Sequence, residues 1–206
     1  MEAILIPVKR LSESKLRLAG VLGPLQRRRL ALSMLADVLV AAAGWPLRMV
    51  VTSDRDAASL ARSAGWSIVP DPGSGLNDAV AEGTSASASA GATALLVLPF
   101  DVPLVTGGEL EALFATDADV VVACSDDGGT SGLLRRPPAA IAARFGPDSA
   151  RLHAEAAGVA GLRVQSLRLP GLSLDIDEPG DLRRLAASGL DHPSVKVARE
   201  LLAAAS

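Results

Sequence analysis

The chain has 206 residues, of which 49% are hydrophobic and 21% charged, enough for one well-buried core with no composition break that forces a second domain. A formal net charge of −3 and the absence of Tyr argue against a general nucleic-acid or membrane-surface binder, which needs basic patches and, for single strands, stacking rings. The single cysteine excludes an internal disulfide, and no apolar run reaches membrane-spanning length or follows a basic leader, so a soluble cytoplasmic protein is expected.

Residues 3–8 form a short apolar run that predicts a first buried strand. The loop after it carries Lys9, Lys15 and Arg17, where the end of a parallel strand commonly meets a triphosphate. Cations fixed there would offset phosphate charge and stabilise a leaving pyrophosphate, against the alternative of a solvated basic loop. No G-x-x-x-x-G-K-[ST] motif is present, which disfavours a P-loop protein. From Pro24, apolar residues recur at helical spacing until Gly44-Trp45-Pro46 stops them. A strand over 47–52, a helix over 56–64 and a brief strand over 67–69 follow. The turn-rich Asp71-Pro72-Gly73-Ser74-Gly75-Leu76-Asn77 combines glycines that let a ligand approach the backbone with a polar residue near a helix start. A nucleotide base or ribose could rest against Asp71, Gly75 and Asn77, and an ordinary turn is the competing reading.

A helix is expected over 76–89 and a strand over 94–98, which delivers Asp101 at its end. Pro99 and Pro103 restrict the backbone on either side and fix where that carboxylate points. A helix over 108–115 precedes a strand over 119–124. This alternation predicts right-handed crossovers and a mostly parallel sheet covered on both faces, a single α/β domain of Rossmann-like type over 1–206.

Regularity falls near 125–150, an irregular insertion suited to binding an acceptor. Residues 126–132 are expected as a loop, 133–136 as a short strand, and Pro137-Pro138 as the start of a helix toward Arg144. Thr130 from that loop, with Gly146 and Ser149 from a helix start at Phe145-Gly146-Pro147-Asp148-Ser149, forms a candidate anion site of small hydroxyls and free backbone N–H groups. His153, one turn into the helix, fits a packing role better than that of a catalytic base. Residues 162–169 predict a strand, and the apolar run 172–176 leads into Leu174-Asp175-Ile176-Asp177-Glu178-Pro179 as a strand leads into its terminal carboxylates. In extended backbone Asp175 and Asp177 face the same side, and with Asp101 they offer the hard oxygen donors that Mg²⁺ prefers. Capping of the helix over 179–187 is the alternative role for Asp177. A helical tail is expected within 190–206.

Taken as an ordered set, these motifs are recognisable. Pro7-Val8-Lys9 with Lys15-Leu16-Arg17-Leu18, the Asp71–Asn77 loop, Leu98-Pro99-Phe100-Asp101-Val102-Pro103-Leu104, Gly129-Thr130-Ser131-Gly132, Phe145-Gly146-Pro147-Asp148-Ser149 with His153, and Leu174-Asp175-Ile176-Asp177 span about residues 3–187. The set resembles the 2-phospho-L-lactate and phosphoenolpyruvate guanylyltransferases of coenzyme F420 biosynthesis. The resemblance implies a nucleotide-diphospho-sugar transferase type of fold and Mg²⁺-dependent transfer of GMP from GTP to a small phospho-acid. It implies Mg²⁺ on Asp101, Asp175 and Asp177, and GTP against Lys9, Lys15, Arg17, Asp71, Gly75 and Asn77. Thr130, Gly146 and Ser149 would then grip the acceptor. The Ala-, Arg- and Gly-rich composition suggests a GC-rich, actinobacterial source, for which the resemblance implies phosphoenolpyruvate as the acceptor, with 2-phospho-L-lactate and 3-phosphoglycerate open, and coupling to the next transferase of the pathway is implied. The rivals are another small-molecule nucleotidyltransferase of this fold, of molybdenum-cofactor or sugar-phosphate type, and a non-catalytic nucleotide-binding module.

Overall fold

The run Glu2–Val8 becomes the central strand β1 because it is apolar on both sides: Ile4, Ile6 and Val8 enter one core layer, Ala3 and Leu5 the other. The computed structural model describes residues 1–11 and 14–204. Around β1 lie β2 (Leu47–Thr52), β3 (Ser67–Pro70), β4 (Ala94–Val97), β5 (Val120–Cys124), β6 (Thr130–Arg135) and β7 (Val164–Leu167). They form one seven-stranded sheet in the order β3-β2-β1-β4-β6-β5-β7. Only β6 runs against its neighbours; the β1–β2, β1–β4, β2–β3 and β5–β7 pairs are parallel.

The helices are α1 (Pro24–Ala41), α2 (Arg55–Ser63), α3 (Leu76–Ser89), α4 (Gly107–Ala115), α5 (Ser149–Val159), α6 (Pro170–Ser173), α7 (Pro179–Ala187) and α8 (Pro193–Ala204). One core layer packs α1, α2, α4, α7 and α8 on the Ile4–Ile6 face; the other packs α3 and α5 on the Leu5 face. Helix starts follow local chemistry. Pro24 occupies the first turn of α1, where its missing N–H costs nothing, and Gln26 Oε1 accepts from the Gly23 N–H at 2.7 Å. Asp54 caps α2 by accepting from the Asp56 and Ala57 N–H groups at 3.0 and 3.1 Å. Helix α3 comes so close to the sheet that a Cβ on Gly83 would collide with the Leu5 side chain and lie 2.8 Å from Val51 Cγ2. No helix among the described residues is long and apolar enough to cross a membrane.

Three expectations are corrected. The loop expected over 126–132 already enters the sheet at Thr130, and β6 pairs with β4 on one side and β5 on the other. Small residues make this possible: a Cβ on Gly132 would sit 3.2 Å from the Ala123 Cβ, so the strand threads a space without room for a side chain there. The helix expected after Pro137-Pro138 is not formed beyond one turn, in which the Ala140 N–H donates to the Pro137 carbonyl at 2.9 Å. Backbone groups that such a helix would use are engaged elsewhere: the buried Arg135 guanidinium donates to the Ile141 carbonyl at 2.9 Å, and the Arg144 N–H donates to His153 Nε2 at 2.8 Å. The second acidic motif does not follow a strand. Pro170 starts the short helix α6, after which Ile176 N–H bonds the Asp101 carbonyl at 3.0 Å and ties the two acidic segments together.

Candidate active site

The strand order reverses direction at β1: the chain goes from β1 outward through β2 to β3, then returns to place β4 on the other side of β1. Connections leaving β1 and β4 therefore part, and open α/β sheets bind ligands in the crevice left at the carboxyl ends of such strands. A cleft of about 680 Å³ occupies this place. Because β6 is antiparallel, its first residue Thr130 lies at the same end, beside Cys124 at the end of β5.

One wall is ionic. Lys15 has a left-handed backbone conformation (φ 55°) at the head of the 3₁₀ turn Leu16–Leu18, and its side chain is only 2% exposed. Its ammonium donates to Asp101 Oδ2 at 2.6 Å and Asp177 Oδ1 at 2.7 Å, and stands 5.4 Å from the centre of the Phe100 ring. Burial acts to lower the Lys15 pKa, but Asp101 and Asp177 together outweigh it and hold the pKa above the usual lysine value. Asp175, on the adjacent segment, is pushed up to about 6, first by burial and then by the negative charges of Asp101, Asp127 and Asp177. Arg17 reaches from the rim, 70% exposed, to within 4.0 Å of Asp177 and 3.7 Å of Glu178. Asp177 does not cap α7: Glu178 holds the cap position, and Asp181 Oδ2 accepts from the Glu178 N–H at 2.8 Å.

The opposite wall carries small hydroxyl residues, with the carboxylates of Asp127 and Asp148 among them. Gly146, with φ 139°, turns the chain so that α5 points its N-terminus at the cleft, and no side chain caps that end. The Ser149 N–H donates to the Gly146 carbonyl at 3.2 Å and the Ala150 N–H to the Gly128 carbonyl at 3.4 Å, so the free N–H groups expected at Ser149 and Ala150 are engaged, and the helix dipole and the hydroxyls are what this end offers an anion. Ser149 is buried at the start of α5 yet lines the cleft, and Thr130 faces it from β6. Asn77, at the start of α3, fastens this wall: its amide oxygen accepts from the Phe145 N–H at 2.8 Å, and its amide nitrogen donates to the Phe145 carbonyl at 3.2 Å.

Of the residues singled out from the sequence, Lys9, Lys15, Arg17, Asp101, Thr130, Gly146, Ser149, Asp175 and Asp177 line this one cleft. Asp71, Gly75 and Asn77 are outside its lining, although Leu76 between them is part of it. Asp71 accepts from the Gly73 N–H at 2.9 Å and shapes the turn before α3. Sequence reasoning missed Asp127, which lines the cleft while accepting from the Ser125 hydroxyl and the Gly129 N–H. The Ser-x-Asp-x-Gly spacing of an Asx turn was the available signal.

A divalent cation is tested by the donor set. Among the described residues no group of three or more His, Cys, Asp or Glu side chains is gathered to hold a metal ion unaided. Asp101 and Asp177 nevertheless converge on one cation, the Lys15 ammonium, with Asp175 and Asp127 as nearby negative neighbours. Mg²⁺ typically takes one or two carboxylates and completes its octahedron with substrate phosphates and water, a requirement that this wall fits.

The fold is shared with solved nucleotidyltransferases. A candidate nucleotide-diphospho-sugar transferase from Desulfovibrio desulfuricans G20 superposes with a TM-score of 0.81 at 18% identity, covering 99% of this chain and 96% of that one. A nucleotidyl transferase from Methanothermobacter thermautotroptrophicus gives 0.70 at 19% identity, with 90% and 95% covered. At the level of sequence, the family model described as "Guanylyl transferase CofC like" matches residues 2–204, and the chain belongs to that family. Relatives include a phosphoenolpyruvate guanylyltransferase from Rubrobacter xylanophilus, 42% identical over 190 residues (89% of this chain, 93% of that protein), and another from Chloroflexus aggregans, 38% identical over 198 residues (91% and 98%). The protein is a nucleotidyltransferase enzyme.

Proposed function

We propose that this protein transfers GMP from GTP to phosphoenolpyruvate with Mg²⁺, releasing pyrophosphate and forming enolpyruvoyl-2-diphospho-5'-guanosine for coenzyme F420 biosynthesis. The observation that carries this reading is that an ionic wall suited to a triphosphate and a hydroxyl-bearing wall suited to a small anion face each other across one cleft. The names of the relatives support guanylyl transfer to phosphoenolpyruvate. An acceptor phosphate is already largely ionised at neutral pH, so attack on the α-phosphorus needs alignment and charge neutralisation rather than a protein base. That suits a cleft in which, among the described residues, no imidazole or thiol is part of the lining.

In this reading Lys9, Lys15 and Arg17 neutralise the triphosphate, and Arg17, exposed at the rim, follows the departing pyrophosphate. Asp101, Asp175 and Asp177 hold Mg²⁺, which when bound polarises the phosphoryl oxygens. Thr130, Gly146 and Ser149 donate to the acceptor's anionic oxygens and aim its phosphate across the cleft. Asp71 and Gly75 would border the nucleoside from outside the cleft lining, and Asn77 acts indirectly by fixing the Phe145 backbone beside Gly146. The product is a reactive phosphoanhydride, and its use by the next transferase of the pathway would keep it from decaying.

The test incubates the protein with Mg²⁺, each nucleoside triphosphate, and phosphoenolpyruvate, 2-phospho-L-lactate or 3-phosphoglycerate in turn, and measures pyrophosphate. Release is expected with GTP and phosphoenolpyruvate. Absence of release from GTP with every acceptor, with and without the downstream transferase, would overturn the reading.

A further inference from the structure

His153 is fully buried beneath the acceptor wall, one helical turn after Ser149. Both of its ring nitrogens are engaged. Nε2 lies 2.8 Å from the Arg144 backbone nitrogen, and Nδ1 lies 3.0 Å from Thr130 Oγ1. The ring is held edge-on by Phe145, with centroids 5.2 Å apart and an interplanar angle of 70°.

A backbone N–H can only donate, so Nε2 is the acceptor of that bond and carries no proton. Burial, followed by the charges of Arg135 and Arg144, lowers the His153 pKa to about 4, which keeps the ring neutral at physiological pH. The single ring proton of a neutral imidazole then resides on Nδ1 and is donated to Thr130 Oγ1. Since one lone pair of that oxygen is taken by the ring, the Thr130 hydroxyl proton is turned away from His153. Among the described residues no other acceptor takes it, and the cleft is the open space that Thr130 faces.

We propose that His153 is a positioning residue that fixes the Thr130 hydroxyl as a hydrogen-bond donor into the cleft, matching it to an ionised phosphate or carboxylate oxygen of the acceptor. This rests on Thr130 being an acceptor-binding residue. It extends that reading by assigning the proton: His153 never touches the substrate, and acts only through the orientation it imposes. One imidazole also ties β6, which supplies Thr130, to the segment that supplies Gly146.

The test is a double-mutant cycle with Thr130→Val, which removes the hydroxyl at nearly constant volume, and His153→Phe, which keeps a ring but no polar atoms. His153→Phe alone is expected to raise the acceptor KM on the order of tenfold, as for loss of a hydrogen bond to a charged group, with the GTP KM within about twofold. Added to Thr130→Val, it should raise the acceptor KM no further. An equal rise in both backgrounds, or a parallel rise in the GTP KM, would overturn the proposal in favour of a general structural role. Because His153→Phe can fail to fold, ¹⁵N–¹H correlation spectra of the wild-type imidazoles give an independent reading at neutral pH. The neutral Nδ1–H tautomer for the buried histidine supports the proposal; the Nε2–H tautomer or an imidazolium refutes it. A wild-type protein that transfers GMP to no phospho-acid would defeat the proposed function, and the tautomer would still decide the hydroxyl's orientation.

Discussion

Lys15 combines two costly features: a left-handed backbone in a non-glycine residue and a buried charge. Its two carboxylate partners offset the burial, but replacing such an ion pair with apolar groups is frequently neutral or stabilising, so stability alone gives little reason to keep it. The arrangement makes sense if the Asp101 carboxylate must be aimed at a fixed point. Asp101→Asn preserves shape and leaves Lys15 its bond to Asp177, and is expected to reduce pyrophosphate release by about 100-fold or more with the circular dichroism spectrum unchanged. Near-wild-type turnover would reduce Asp101 to a structural role. His153 supplies a pH dependence. Its folded pKa of about 4 lies below the ordinary 6.5, so between these values the unfolded chain binds more protons and acid favours unfolding. Stability attached to His153 is complete above pH 6.5 and is lost as pH falls toward 4. Relative to His153→Phe, in which the other titrating groups are common, the wild-type protein should lose about 3 kcal/mol between pH 7 and pH 4. Urea denaturation of both proteins across that range measures it, and a constant difference would contradict the buried neutral imidazole. The aspartates were legible in the sequence because charged residues stand out at the ends of apolar runs. Lys15's pairing was not, since its partners are 86 and 162 residues away.

The elements show the same division. Strands β1, β2 and β4 and helix α1 were legible because each carries an apolar run or a sustained period with a turn, Pro or Gly boundary, whereas the Ser- and Ala-rich second half of α3 has no strong apolar face. Strand β6 was read too short because Thr130-Ser131-Gly132 has the composition of a loop, and only the space between β4 and β5 calls for residues that small. The helix expected after Pro137 obeyed a sound local rule and lost to two side-chain hydrogen bonds with its backbone, from Arg135 and to His153. Gly83 illustrates the reverse, a residue with poor helix propensity that packing requires. Gly83→Ala gains propensity yet drives a methyl into Leu5 and Val51, and the net expectation is a destabilisation of about 1–3 kcal/mol in chemical denaturation. An unchanged or higher midpoint would mean that α3 can move off the sheet at little cost.

Over the whole molecule, two core layers sandwich one sheet, and the cleft lies where the strand order turns back on itself. The general architecture was legible from the alternation of strands and helices. The reversal of β6 was not, because strand direction depends on which neighbours a strand finds. That reversal has a consequence for how the enzyme can diversify. Since the backward strand starts at the mouth of the cleft, a single stretch between β5 and α5 furnishes nearly all of the wall proposed for the acceptor, while the wall proposed for the nucleotide comes from segments beside β1, β4 and α7. Under the proposed function, changes confined to that stretch would retune which small acid is taken without disturbing the residues that meet the triphosphate, so acceptor choice could drift among descendants of one scaffold while the chemistry stays inherited.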